Sequence, residues 1–258
     1  MLIDSHCHIP HKRYEVIVDE VINQAKEVGV AKLINVGTSI LENKKVLEVS
    51  GRYENVYSTV GIYPHEEIGK SIEELSLSLE GNLNSSKKIV AIGECGIDVS
   101  DLGGGRNLEE QKKIFEMQVN LAISSGLPLM IHNRNGDDTV LEILNKYKDK
   151  KLRGIAHCFS STWEVAQKFL DLGFYLSFSG MITYPSRKDL FEIVQKVPDN
   201  RIVFETDAPY LPPQGHRGEV NYPKYVKIVA EKASQIKQKP FEETSRMSFE
   251  NTCRIFNL

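Results

Sequence analysis

The sequence has no surplus of charge of either sign. Its 32 Lys and Arg against 35 Asp and Glu leave a formal net charge of −3, which removes the electrostatic argument for a dedicated nucleic-acid-binding domain and leaves room only for a local basic patch. No apolar run approaches the roughly 20 residues of a membrane helix, so no membrane contact is expected. The opening MLIDSHCHIP places Asp4 and His6 where a signal peptide needs an uninterrupted apolar stretch, so export is not expected and the cytoplasm is the default. Cysteine is scarce: Cys7, Cys95, Cys158 and Cys253 lie far apart with no CxxC, which argues against a disulfide framework and against a zinc knuckle. No Pro/Ser-rich linker and no internal repeat divide the chain, so residues 1–258 read as a single domain with no obligate protein partner in evidence.

What is present is an ordinary globular composition, 41% hydrophobic and 26% charged, which excludes disorder and collagen-like or coiled-coil architectures. Short β-branched or apolar runs recur at Leu2–His8, Lys32–Val36, Val56–Gly61, Ile89–Glu94, Leu129–His132, Gly154–His157, Phe174–Phe178 and Ile202–Glu205. Between them lie helical patterns of apolar residues, such as Val16, Val21, Ile22, Ala25 and Val28, or Ile114, Phe115, Met117, Val119, Leu121 and Ala122. Gly29, Gly126 and Gly173 each follow such a pattern and precede a strand, as glycines just past a helix end do. Strand and helix alternating through the whole length predict a (β/α)8 TIM barrel of the α/β class. The open doubly wound alternative wants a glycine-rich phosphate turn after the first strand, and there is none. Ser100–Asn107 (SDLGGGRN) reads as a mobile loop.

In DSHCH, Asp4, His6 and His8 alternate, so a strand projects all three from one side, which in a barrel is the interior. Apolar packing there would leave their donors and acceptors unpaired, whereas a divalent metal takes neutral imidazole and carboxylate directly. Other strand ends carry the same residue types: Glu94 closes KIVAIGE, His132 closes LPLMIH, His157 closes RGIAH and Asp207 closes RIVFETD. Five strands thus deliver chemistry to the rim where barrel active sites sit. The neighbouring Cys7, Cys95 and Cys158 should point the opposite way, toward the helices, as small hydrophobes.

DSHCH, GIYPH (61–65), GECGID (93–98), IHNR (131–134), HCFS (157–160), ETDAPYLPP (205–213) and HRG with Asn221 and Pro223 together resemble the TatD family in order and spacing, over essentially the whole chain. That resemblance implies a (β/α)8 metal-dependent hydrolase related to the amidohydrolases, of a kind described as magnesium-dependent DNases. It implies His6, His8, Glu94, His132, His157 and Asp207 as metal ligands, with Glu94 bridging two ions. Four positions depart from the family's usual pattern: Tyr63 where histidine is usual, Asn135 where aspartate is common, Ser161 for a frequent glycine and Val99 for a frequent aromatic.

Two divalent ions bridged by a carboxylate can stabilise both the attacking and the leaving oxygen of a phosphodiester displacement. The expected cofactors are therefore two divalent metal ions, Mg2+, Mn2+ or Zn2+, mixed nitrogen and oxygen ligation being less typical of magnesium than of zinc, manganese or iron. Catalytic roles fall to Glu94 and to Asp207, which accepts a proton from a metal-activated water. Asp4 is expected to hold His6 or His8 in the right tautomer. Arg134 and Arg217 are candidates to clamp substrate phosphate, with His65, and below it His216, as further contacts. The expected substrate is DNA or an oligonucleotide, single strands or 3′ ends preferred. The alternatives are a hydrolase of carbon–nitrogen or ester bonds in a small molecule, or a non-catalytic metal-binding protein.

Overall fold

The computed structural model describes residues 1–100 and 105–258. Eight parallel strands follow one another in chain order around a single sheet: β1 (Leu2–Cys7), β2 (Val30–Val36), β3 (Val56–Val60), β4 (Ile89–Asp98), β5 (Leu129–Arg134), β6 (Gly154–Ala156), β7 (Tyr175–Phe178) and β8 (Ile202–Phe204). The helices among the described residues are α1 (Val18–Glu27), α2 (Ile40–Arg52), α3 (Ile72–Leu83), α4 (Leu108–Ser125), α5 (Asp137–Lys146), α6 (Trp163–Asp171), α7 (Asp189–Lys196), α8 (Val226–Lys237) and α9 (Phe241–Phe256). This is the (β/α)8 barrel the alternation predicts, with no described helix long and apolar enough to cross a membrane.

Local chemistry sets the boundaries. Ser39, Ser71, Asn107 and Thr162 each accept a backbone N–H in the first turn of the helix they precede, and Ser71 with Glu74 forms a full capping box, satisfying donors that a helix start leaves open. Gly126 ends α4 in the left-handed region at φ 69°, a conformation glycine adopts without steric penalty. The expected mobile loop at Ser100–Asn107 includes residues 101–104, which lie outside the described residues.

Two apolar layers result from strands buried on both faces. One lies between strands and helices and takes in Cys7, Leu33, Val60, Cys95, Ile131, Leu176 and Phe204. The other fills the barrel's lower interior with Ile3, Ile34, Val90, Met130, Ile155, Tyr175 and Val203. Ile255 and Phe256 of α9 close that layer from below. Asn251 and Ser248 on the same helix bond the backbone of β8 (Nδ2 to Ile202 O, 2.8 Å; Oγ from Phe204 N–H, 3.2 Å). The interior is thus plugged at its floor and polar chemistry is left to the upper rim.

The seam between β8 and β1 closes largely through side chains and single bridges. The Asp207 N–H donates to His6 O at 2.9 Å, and His8 N–H to Ala208 O at 2.8 Å. Asp4 lies on this seam. Its carboxylate accepts Thr206 N–H (2.9 Å), Thr206 Oγ1–H (2.5 Å) and the backbone N–H of His6 (3.3 Å). The expectation that Asp4 orients an imidazole is therefore corrected: its three donors come from backbone and hydroxyl, and it ties the last strand to the first.

Candidate metal centre

Each candidate ligand reaches the rim by a different local device. His6 and His8 come from β1 and the residue just beyond it, on the inward side of the alternation. Glu94 does not close its strand, as the sequence pattern suggests, but sits inside β4, which runs on to Asp98 with a break in pairing register against β5 between Ile92 and Cys95. Glycine makes this possible: at Gly96 (φ 147°) a β-carbon would stand 1.9 Å from His132 O, so only a residue without one lets β4 press this close to β5. His132 lies within β5, while His157 and Asp207 follow the ends of β6 and β8.

These six side chains converge on one point. Glu94 divides its carboxylate: Oε1 lies 2.8 Å from His132 Nδ1 and 3.1 Å from His157 Nε2, whereas Oε2 lies 3.5 Å from His6 Nε2 and 3.8 Å from His8 Nε2. Asp207 Oδ1 stands 3.5 Å from His8 Nε2 and 3.7 Å from His6 Nε2. Two donor groups follow, His6–His8–Asp207 and Glu94–His132–His157, each with its ligand atoms within 4.8 Å of one another.

The outward nitrogens show why the inward ones face the centre as lone pairs. His8 Nδ1 is 3.1 Å from Val36 O and His157 Nδ1 is 3.3 Å from Glu205 Oε1, both acceptors, so the proton of each neutral ring belongs on Nδ1 and leaves Nε2 free. His132 is turned the other way, with Nδ1 inward and Nε2 toward Asp98 and Tyr63. His6 Nδ1 is buried without a partner. Inward nitrogens then meet at 3.2 Å between His6 and His8 and 3.1 Å between His132 and His157. Four imidazoles and two carboxylates crowded in this way fit divalent cations, which replace lone-pair contacts with coordination bonds.

The electrostatics agree. Burial would raise the Glu94 carboxyl, but the His157, His132 and His6 rings facing it hold it well below the usual carboxylate range. Burial would likewise raise Asp207, and His8, His6 and His157 hold it down. Burial lowers His6, and the neighbouring His157 adds to that. For His157 burial acts downward too, yet Glu94 and Glu205 push the ring well above its ordinary value.

Glu205 is a further residue of the centre, one that strand-end spacing does not single out. Fully buried, with Oε1 on His157 and Oε2 unpartnered, it also groups with His6 and His157 as a third set of possible ligands. The sequence signal was the first acid of ETD, two residues before Asp207. Cys7 and Cys95 are buried in the helix-facing layer as the alternation predicts. Cys158 departs: it follows the end of β6 at φ 46°, outside the strand, and its sulfur meets Ser179 Oγ at 3.2 Å. Its thiol is pushed well up by burial and by Asp207 and Glu205, so it stays protonated.

The residues assigned to substrate lie at or beyond the ends of β3, β5 and β8. Arg134 ends β5, exposed. Arg217 is exposed with its guanidinium 4.4 Å from the centroid of the Tyr184 ring. His65 Nδ1 accepts the Arg106 N–H at 3.1 Å. His216 is turned to Glu219 and stacked on Tyr225.

A family described as TatD related DNase matches residues 3–257. The chain belongs to the TatD family. Among TatD-type relatives, it is similar to the uncharacterized metal-dependent hydrolase YabD of Bacillus subtilis, 35% identical over 258 residues covering 100% of both chains. It is also similar to YcfH of Escherichia coli, described in the same words, 31% identical over 100% of this chain and 96% of the other. In three dimensions it resembles the crystal structure of the TatD homologue YjjV of E. coli with a TM-score of 0.92, 27% identity and coverage of 100% and 98%.

Proposed function

We propose that this TatD-family chain is a divalent-metal-dependent phosphodiesterase that hydrolyses DNA, single strands and 3′ ends before duplex, in the cytoplasm. The observation that carries the reading is the divided Glu94 carboxylate, each oxygen facing a different pair of histidines. In this reading His6, His8 and Asp207 hold one ion and His132 and His157 the other, with Glu94 shared. Such a pair would supply a water acidic enough to attack at neutral pH and positive charge beside the phosphoryl oxygens.

The chain's own groups do the rest. Asp207, held as a carboxylate by the rings around it, can take a proton at the mouth of the site. Arg134 and Arg217 stand at the mouth as cations for substrate phosphate, Arg217 steadied on the Tyr184 ring. His65 is a further candidate contact, its Nδ1 accepting the Arg106 N–H.

The test is a substrate panel on protein stripped of metal and reloaded with Mn2+: a 3′-labelled single strand, a duplex of equal length, a dipeptide and a lactone. Metal-dependent shortening of the single strand is the expected result. Turnover of the dipeptide or lactone with intact DNA would replace the phosphodiesterase reading by a small-molecule hydrolase.

A further inference from the structure

Tyr63 stands in the loop after β3, Asp98 at the end of β4 and His132 on β5, and the three side chains meet beside the metal centre. Asp98 is wholly buried and held at every polar atom. Its N–H donates to Gln111 Oε1 at 2.9 Å and its carbonyl accepts Gln111 Nε2 at 2.9 Å. Oδ1 accepts the Ser100 N–H at 2.9 Å and the Ser100 hydroxyl. Oδ2 remains, and it faces the Tyr63 hydroxyl at 2.5 Å and His132 Nε2 at 3.4 Å.

A phenol has a single proton. Tyr63 directs it to Asp98, so toward His132 Nε2, 3.4 Å away, the phenol oxygen presents only lone pairs. Both groups facing Nε2 are thus acceptors, and the ring proton belongs there. The lone pair is left on Nδ1, the atom 2.8 Å from Glu94 Oε1. The Tyr63 ring packs edge-on against His132 with centroids 4.8 Å apart, which limits rotation of the imidazole.

We propose that Asp98 and Tyr63 are a positioning pair that fixes the tautomer and rotation of His132, and thereby sets the affinity of the ion shared by Glu94, His132 and His157 while leaving the ion among His6, His8 and Asp207 alone. This rests on the two-ion reading above. The outward nitrogens of His8 and His157 have their own partners, Val36 O and Glu205, and that of His6 has none among the described residues, so loss of the pair reaches a single ligand.

The experiment is a metal titration of the stripped full-length chain with Mn2+ and Zn2+, in the wild type and in Tyr63→Phe and Asp98→Asn, followed calorimetrically. A second arm records the imidazole N–H resonances of the Zn2+-loaded proteins. One of the two ions should lose about 10–100-fold in affinity, the range typical of removing a partner behind a metal-bound histidine, with the other changing less than about 2-fold. A sheltered His132 Nε2–H resonance should be present in the wild type and lost to exchange in both variants. A brace for the loop alone would lower the melting temperature and leave the ratio of the two affinities and this resonance unchanged, which overturns the proposal. Tyr63→Phe removes one hydroxyl from a partly exposed ring, so it decides the matter if Asp98→Asn fails to fold. If the wild type takes up one ion only, the two-ion reading fails, and the positioning role stands or falls on whether that ion weakens in Tyr63→Phe.

Discussion

Glu94 Oε1 lies 2.8 Å from His132 Nδ1, while the other oxygen of the same carboxylate turns to His6. A single side chain therefore serves both halves of the centre. Glu94→Ala should cost at least about 100-fold in hydrolysis, beyond the 10–100-fold typical of a change behind the ligands. His8→Ala, which touches one half, should leave one ion in place. Metal counting on the purified variants checks this, and two ions still bound to Glu94→Ala would show that the carboxylate is not shared.

Protons and ions compete for the same nitrogens. His8, His132 and His157 lie above the ordinary histidine value in the metal-free chain, because Asp207, Asp98, Glu94 and Glu205 outweigh burial. A raised pKa means the ring is still protonated at pH values where a free histidine is neutral, and each ion that binds must displace those protons. Metal affinity should therefore rise with pH from about 6.5, the unperturbed value, and level off once the rings are neutral. Calorimetry in two buffers of different ionisation enthalpy reads the protons released. Affinity independent of pH across that window would contradict the assignment of these rings as ligands.

Cysteine chemistry should play no part in turnover. Cys7 and Cys95 are buried among the helices and Cys158 is a protonated thiol beside Ser179. A triple Cys→Ala chain should keep most of its rate while losing roughly 1 kcal/mol of stability for each buried site, the cost of a small cavity. Loss of metal from the folded triple variant would assign a ligand role to a sulfur.

Contacts with DNA should be few. A chain of net charge −3 whose proposed phosphate contacts are Arg134, Arg217 and the ions neutralises few phosphates, so binding of Asp207→Asn to a single strand should change little between about 50 and 200 mM salt, a range that costs extensive binders several orders of magnitude. Tight duplex binding that falls steeply with salt would reveal a basic surface outside the mouth.

The barrel and the inner ligands were legible in the sequence because both follow from period. Alternation across HCH aims His6 and His8 to one side with Cys7 opposite, and strand–helix repetition orders the rest. Contacts between distant segments were not legible. Asp4 departs from the alternation: it pairs with Leu33 of the helix-facing layer while its neighbour Ile3 points into the barrel, a register break before Cys7 separates it from His6 and His8, and its role as a tie to Thr206 emerges only when β8 meets β1. Cys158 escapes the alternation because β6 has already ended at Ala156. Asp98 and Tyr63 sit in motifs visible in the sequence, but their joint hold on His132 depends on the loop after β3 leaning over β4 and β5. The role of α9 as floor plug left no local mark, since its buried Ser248, Asn251 and Thr252 look solvent-facing until the backbone they bond is known.

The most direct test of a shared two-ion centre is hydrolysis of a 3′-labelled single strand by fully chelated protein as Mn2+ is returned in measured equivalents. The account predicts no cleavage before metal, little after the first equivalent and most of the activity with the second. Cleavage that survives chelation, or that is complete after one equivalent, would contradict it.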